Sequence, residues 1–135
     1  MKKFLSNIKN YVIYLVLLIV VIGYIYNVNF AYANKVRIVD GDTIHINKVK
    51  YRLHGIDAPE IKQDCQVNDR KYDCGVKSKN FLESLVENKE ITCKQKNIDK
   101  YKRIIATCYT DELNINKEMV RSGWAIAYRY YSKKY

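Results

Sequence analysis

The chain has 135 residues, with 24 Lys plus Arg against 14 Asp plus Glu and a formal net charge of +10. Hydrophobic residues at 48% and aromatics at 13% are too abundant for a disordered polycation, and five Gly with one Pro exclude a collagen-like or glycine-rich filament. One small packed domain remains, with an anionic partner that is nucleic acid, a phosphate-bearing substrate or an acidic membrane.

Residues 1–33 carry Lys2, Lys3 and Lys9, no acid, and an apolar run from Tyr11 to Tyr26 broken only by Gly23. The 16 residues of that run exceed a usual signal-peptide core and fall short of the roughly 20 that a spanning helix needs. The flank favours a signal peptide: after the polar break at Asn27 and Asn29, Ala31-Tyr32-Ala33 is the small-x-small pattern read by signal peptidase, and Asn34 becomes the first mature residue. An uncleaved anchor, the one route to a membrane, is the alternative. Cleavage leaves 102 residues with 21 basic and 14 acidic side chains, a net charge of +7, so the basic character belongs to the domain at 34–135. The expected location is periplasmic or extracellular.

Along that domain, Val36 and Ile38, then Ile44 and Ile46, alternate as two strands around the Asp40-Gly41-Asp42 bend, and Val49, Tyr51 and Leu53 continue the period of two as a third. His54 to Asp73 is polar, with Gly55 and Pro59, and reads as a long loop. Phe81, Leu82, Leu85 and Val86 form a stripe at helical spacing, which predicts a helix from about Gly75 to Glu87. Strands are expected at Glu90 to Lys96 and Arg103 to Tyr109 around a polar turn, then a short helix from Ile115 to Ser122 with Gly123 at its C-terminal cap. Five strands with a helix between the third and fourth is the order of an OB-fold barrel, a mainly β, α+β architecture.

All four cysteines lie in the exported part, an even number where disulfides persist. Without a C-x-x-C pair a metal reading is weak. Three pairings exist. Cys93 and Cys108 are symmetric about the turn at Asp99 to Lys102, so a hairpin sets them opposite each other and leaves Cys65 to pair with Cys74. Buried free thiols are the alternative.

Three segments concentrate charged residues at bends: Asp40-Gly41-Asp42-Thr43, Tyr51-Arg52-Leu53-His54-Gly55-Ile56-Asp57-Ala58-Pro59-Glu60, and Asp99-Lys100-Tyr101-Lys102-Arg103. With Met119-Val120-Arg121-Ser122-Gly123-Trp124-Ala125 and Ala127-Tyr128-Arg129-Tyr130-Tyr131, and in this order, they resemble the thermonuclease family of staphylococcal nuclease-like OB-fold phosphodiesterases, from about Val36 to Tyr131.

The residue chemistry suits that resemblance. A phosphodiester anion repels hydroxide, so hydrolysis needs the phosphate neutralised, the water positioned and the five-coordinate transition state stabilised. Asp42 and Asp57 offer hard oxygens for Ca²⁺. The resemblance implies that both ligate the ion, with the backbone carbonyl of Ala58 as a third ligand and Asp40 acting through water. It implies that Glu60 takes the proton of the attacking water, that Arg52 and Arg103 grip phosphate oxygens, and that Lys100, Tyr101 and Tyr128 bind the terminal phosphate and the nucleotide. Aromatics interleaved with cations also favour single strands of DNA or RNA. His45 and His54 match no catalytic position and are assigned surface or packing roles, and Trp124 is assigned to the core.

The implied activity is Ca²⁺-dependent cleavage of DNA and RNA with little sequence preference, leaving 3′-phosphates. The alternatives are a noncatalytic OB module that binds single strands and a membrane-tethered form. Two departures stand out. Lys102 occupies a turn position where the family has Gly. The family's third, C-terminal helix is also missing by Tyr135, so either the chain is shortened or the disulfides stabilise in its place.

Overall fold

The computed structural model describes residues 2–31, 35–130, 133 and 135, with side chains of the first helix described over 11–26. The expected cleavage point at Ala33, with Tyr32 and Asn34, lies outside the described residues, as does Tyr131. The chain divides into two compact units, Met1–Ala33 and Asn34–Tyr135.

The first unit is a single helix, α1 (Lys2–Ala31), whose apolar side chains over 11–26 are exposed. Among the described residues, no helix is long and apolar enough to cross a membrane.

The second unit is a mixed α+β fold. Strands β1 (Val36–Ile38), β2 (Thr43–Ile46) and β3 (Val49–Leu53) form the expected antiparallel meander. Its alternate residues Ile38, Ile44, Ile46 and Leu53 are buried in the core. Asn47 and Lys48, both at positive φ, make the two-residue β2–β3 turn, whose twist matches that of the strands.

The stretch expected as one loop over 54–73 contains three strands. The short β4 (Ile56–Asp57) pairs with β10 (Ile126–Ala127), and β5 (Cys65–Val67) pairs with β6 (Arg70–Tyr72) through Asn68 and Asp69 at positive φ. These strands are too short, or too exposed on both faces, to leave a period-two apolar signature.

Helix α2 (Cys74–Val86) follows, burying Cys74, Ser78, Leu82 and Val86 at i, i+4 spacing with Gly75 beside them. Strand β7 (Ile91–Ile98) runs two residues beyond expectation, because the turn that ends it is tight: the amide of Asp99 donates to the carbonyl of Arg103 at 3.0 Å. It pairs with β8 (Ile104–Thr110), with a bulge at Lys96, and β8 runs parallel to β3. The resulting order β1-β2-β3-β8-β7 is that of an OB-type sheet. Among the described residues no pairing closes β7 onto β1.

Cys93 stands directly opposite Cys108 in the β7–β8 ladder and is bonded to it, and Cys65 is bonded to Cys74, so both expected pairs form. After β9 (Leu113–Asn114), helix α3 (Ile115–Arg121) is capped by the Asn114 side chain, which accepts from the Lys117 amide at 3.0 Å, and it ends at Gly123 with φ of 77°. Buried Asn116 fastens α3 to the sheet: its Oδ1 accepts from the Cys108 amide, and its Nδ2 donates to the carbonyls of His54 and Ala106. Trp124 packs partly buried against the core, its ring 6.2 Å from that of Phe81, as expected. Among the described residues no helix follows α3.

Candidate functional site

The Asp40-Gly41-Asp42 bend has to turn the chain between β1 and β2 in four residues. It does so with the Asp42 amide donating to Asp40 Oδ1 at 3.0 Å. Gly41 has no room for a side chain, since a Cβ there would lie 2.0 Å from Ser78 Oγ and 2.7 Å from Ala58 Cβ. The bend is thereby pressed onto the small-residue face of α2, and Asp42 points into the protein.

Asp42 is only 1% exposed, and both oxygens of its carboxylate accept hydrogen bonds. Oδ1 accepts from Arg52 Nη1 and from Thr43 Oγ1, and Oδ2 accepts from the Ala58 amide at 2.9 Å. Arg52 reaches it because β3 sets Arg52 opposite Thr43. The same guanidinium donates through Nη2 to Asp57 Oδ1 at 2.6 Å. One cation therefore bridges two carboxylates brought from separate segments. Burial pushes the Asp42 carboxyl up to about 7, against the attraction of Arg52 and with added repulsion from Asp40. Positive charge beyond that of Arg52 would favour its ionised form.

The β7–β8 turn carries the second cationic group. Asp99 Oδ1 accepts from the amides of Tyr101 and Arg103, and its Oδ2 accepts from Arg103 Nε at 2.7 Å. That last bond uses Nε and not the terminal nitrogens of Arg103. Partial burial would raise the Asp99 carboxyl, but these donors and the Arg103 charge outweigh it and hold the group below its ordinary value. Tyr101 is flanked by cations, with Arg103 Cζ 5.4 Å and Lys100 Nζ 5.1 Å from its ring centre.

Arg52, Arg103, Lys100, Tyr101 and Tyr128 all line one groove of about 710 Å³ between this turn and the exit of β3, within the size range of small-ligand sites. Tyr128 is set there by its amide, which donates to the Gly55 carbonyl at 2.9 Å as β10 pairs with β4. Of the other expected residues, Asp42, Asp57 and Ala58 cluster behind Arg52, and Asp40 is tied to them through the Asp42 amide. Glu60 is exposed on the turn that follows Pro59 and does not line the groove. Arg52 is the residue common to the carboxylates and the groove.

Lys96, Asn97 and Ile98 also line the groove and were not singled out from the sequence. The β-bulge puts Lys96 there, and an alternating strand pattern gives no sign of a bulge. His54 stands on the groove wall, and the His45 Nδ1 lies 3.0 Å from Arg37 Nη2.

Among the described residues no group of three or more His, Cys, Asp or Glu side chains is disposed to hold a metal ion. The donor chemistry nonetheless fits a hard divalent cation. Two carboxylates converge on one positive group, one of them buried at a cost that positive charge relieves, and oxygen from backbone and water can complete such a shell.

The family described as Staphylococcal nuclease homologue matches residues 50–135. A Haemophilus influenzae protein described as an uncharacterized endonuclease is 42% identical over 102 residues, covering 72% of this chain and 52% of the relative. An Escherichia coli protein of the same description is 39% identical over 102 residues, covering 72% and 61%. The micrococcal nuclease of Shigella flexneri is 35% identical over 111 residues, covering 73% and 59%. The chain thus spans about half to three-fifths of the length of these relatives. Asp40 and Asp42 lie upstream of the matched span 50–135, and the contacts of Asp42 with Arg52 and Ala58 connect them to it.

Proposed function

We propose that this chain, which belongs to the staphylococcal nuclease homologue family, is an exported Ca²⁺-dependent nuclease that hydrolyses phosphodiester bonds of DNA and RNA with little sequence preference and leaves 3′-phosphates. The observation that carries the reading is the place of Arg52, which joins a pair of hard carboxylates on one side to a cationic, aromatic groove on the other.

In this reading the scissile phosphate lies between Arg52 and Arg103. Arg52 gives one N–H from each terminal nitrogen to Asp42 and Asp57, and a guanidinium has five such donors, so others remain for phosphate oxygens. Arg103 is steadied through Nε by Asp99 and offers its terminal nitrogens to the charge that grows on the phosphorus oxygens during displacement. Neutralisation by two forks lowers the repulsion that otherwise keeps a nucleophile from a phosphodiester.

Asp42, Asp57 and the carbonyl of Ala58 would hold Ca²⁺, with Asp40 reaching it through water; when bound, the ion supplies further charge neutralisation at the phosphate. Glu60 accepts the proton of the attacking water. Tyr101 and Tyr128 stack on bases and Lys100 meets the terminal phosphate, contacts that every base and every sugar allow, so single strands of either polymer are accepted. Export is supported by the basic, apolar N-terminal segment and by the pairing of all four cysteines, since disulfides persist in oxidising compartments.

The test is Glu60→Gln, which keeps the shape of the side chain and removes its proton affinity. Turnover on single-stranded DNA should fall by about a hundredfold or more, with nucleotide affinity within a few-fold of the parent. A kcat within a few-fold of the parent removes Glu60 from the role of base.

A further inference from the structure

We infer that Gly75 and Gln63 are positioning residues that fix the backbone of Glu60, and with it the reach of its carboxylate toward the attacking water; the inference rests on Glu60 acting as the base. Glu60 is exposed on a surface turn, and a base on such a turn is useful only if its backbone is held. Two contacts hold it. The Gln63 amide donates to the Glu60 carbonyl at 2.8 Å, closing a turn over 60–63, and the Gln63 side chain folds back so that its Oε1 accepts from the Glu60 amide at 3.2 Å. Both backbone groups of Glu60 are thus bonded to one residue, while Pro59 restricts the chain just before it.

The turn is seated on helix α2 at Gly75. A Cβ added to Gly75 would lie 1.8 Å from the Glu60 carbonyl oxygen, 2.7 Å from its carbonyl carbon and 3.0 Å from that of Ile61. The Gly75 amide in turn donates to the Gln63 carbonyl at 3.2 Å. Gly75 is not among the residues at positive φ, so conformational freedom does not require glycine there, and helix propensity alone favours Ala. What requires glycine is the space taken by the Glu60 carbonyl.

A side chain at Gly75 would move the turn and not the helix. Cys74 and Ser78 on either side of Gly75 are buried, and Cys74 is bonded to Cys65, whereas residues 60–64 are exposed. Relieving a contact of 1.8 Å takes a shift of more than an ångström, and a misplacement of about 1 Å lowers a catalysed rate by on the order of a hundredfold.

The experiment measures kcat, KM, calcium affinity by calorimetry and thermal melting of the full chain for Gly75→Ala, Gln63→Ala and Gln63→Glu. Each is made both in the parent and in the Glu60→Gln background. Gly75→Ala should lower kcat by about 10- to 100-fold, with KM and calcium affinity within about threefold, and should add no loss when Glu60 is already Gln. Gln63→Ala should lower kcat by about fivefold and Gln63→Glu, which keeps the acceptor oxygen, should restore it. A Gly75→Ala enzyme that keeps its kcat, or an equal loss in the Glu60→Gln background, overturns the inference. If Gly75→Ala does not fold, the Gln63 pair decides: equal kcat for Gln63→Ala and Gln63→Glu overturns it. Full activity of Glu60→Gln alone would instead remove the base on which the inference stands.

Discussion

Replacing both Cys93 and Cys108 by Ala should lower the melting temperature far more than any single surface change. The loop they close spans 15 residues of sequence, worth about 3 kcal/mol in the chain-entropy account. Cys108 is also completely buried, so truncating its side chain removes core contact as well. At about 4 to 8 °C per kcal/mol for a domain of this size, the expected drop is roughly 12 to 24 °C. The Cys65–Cys74 bond closes a span of 9, worth about 2.6 kcal/mol by the same account. One of its ends, however, lies in the exposed β5–β6 hairpin, so part of that effect is confined to local fraying. Scanning calorimetry of the full chain, oxidised, with each pair removed, gives the comparison. Reduction of both should abolish the melting transition and the activity together, because the carboxylate cluster contains no sulfur. A Cys93/Cys108 double-Ala variant that melts within about 4 °C of the parent would refute the reasoning.

Asp42→Asn or Asp57→Asn should weaken calcium binding at least tenfold in calorimetry through loss of a hard anionic donor. Asp42→Asn should also lower the melting temperature by about 4 °C or more, since its amide nitrogen cannot accept the hydrogen bonds that one of the two carboxylate oxygens takes from Arg52 and Thr43 or from the Ala58 amide. Asp99 should titrate below 3.8 in an NMR pH series, because the Arg103 and Tyr101 donors outweigh its burial. A depressed carboxyl stabilises the turn above the unfolded value of about 3.9 and loses that contribution as pH falls through the folded value; a midpoint at or above 3.8 would contradict the bracing. Lys102→Gly should stabilise by about 1 kcal/mol, seen as a higher melting temperature, since Lys102 sits at φ of 62°.

Much of the domain was legible from side-chain periodicity. Ile38, Ile44, Ile46 and Leu53 alternate because one face of their sheet is buried, and Cys93 and Cys108 face each other because a tight turn centres the hairpin between them. The β4–β10 pairing was not legible: it joins two-residue strands separated by about 70 positions, and no local pattern marks such a contact. The β5–β6 hairpin escaped notice because its strands are largely solvent-exposed and carry no apolar face. At the site, residue types and order pointed to Asp42, Asp57 and Arg52, but only the register of β2 on β3 puts one guanidinium between both carboxylates. Gly75 and Gln63 stayed hidden for a related reason, since their importance lies in the backbone of Glu60 and not in any chemistry of their own.

Digestion of single-stranded DNA by the purified full chain, in Ca²⁺ and in EGTA, tests the central claim most directly. Progressive cleavage in Ca²⁺, with products ending in 3′-phosphate and loss of cleavage in EGTA, is the predicted result. Retention of the strand intact in Ca²⁺ by a protein that binds it and melts cooperatively would contradict the nuclease and leave a binding module in its place.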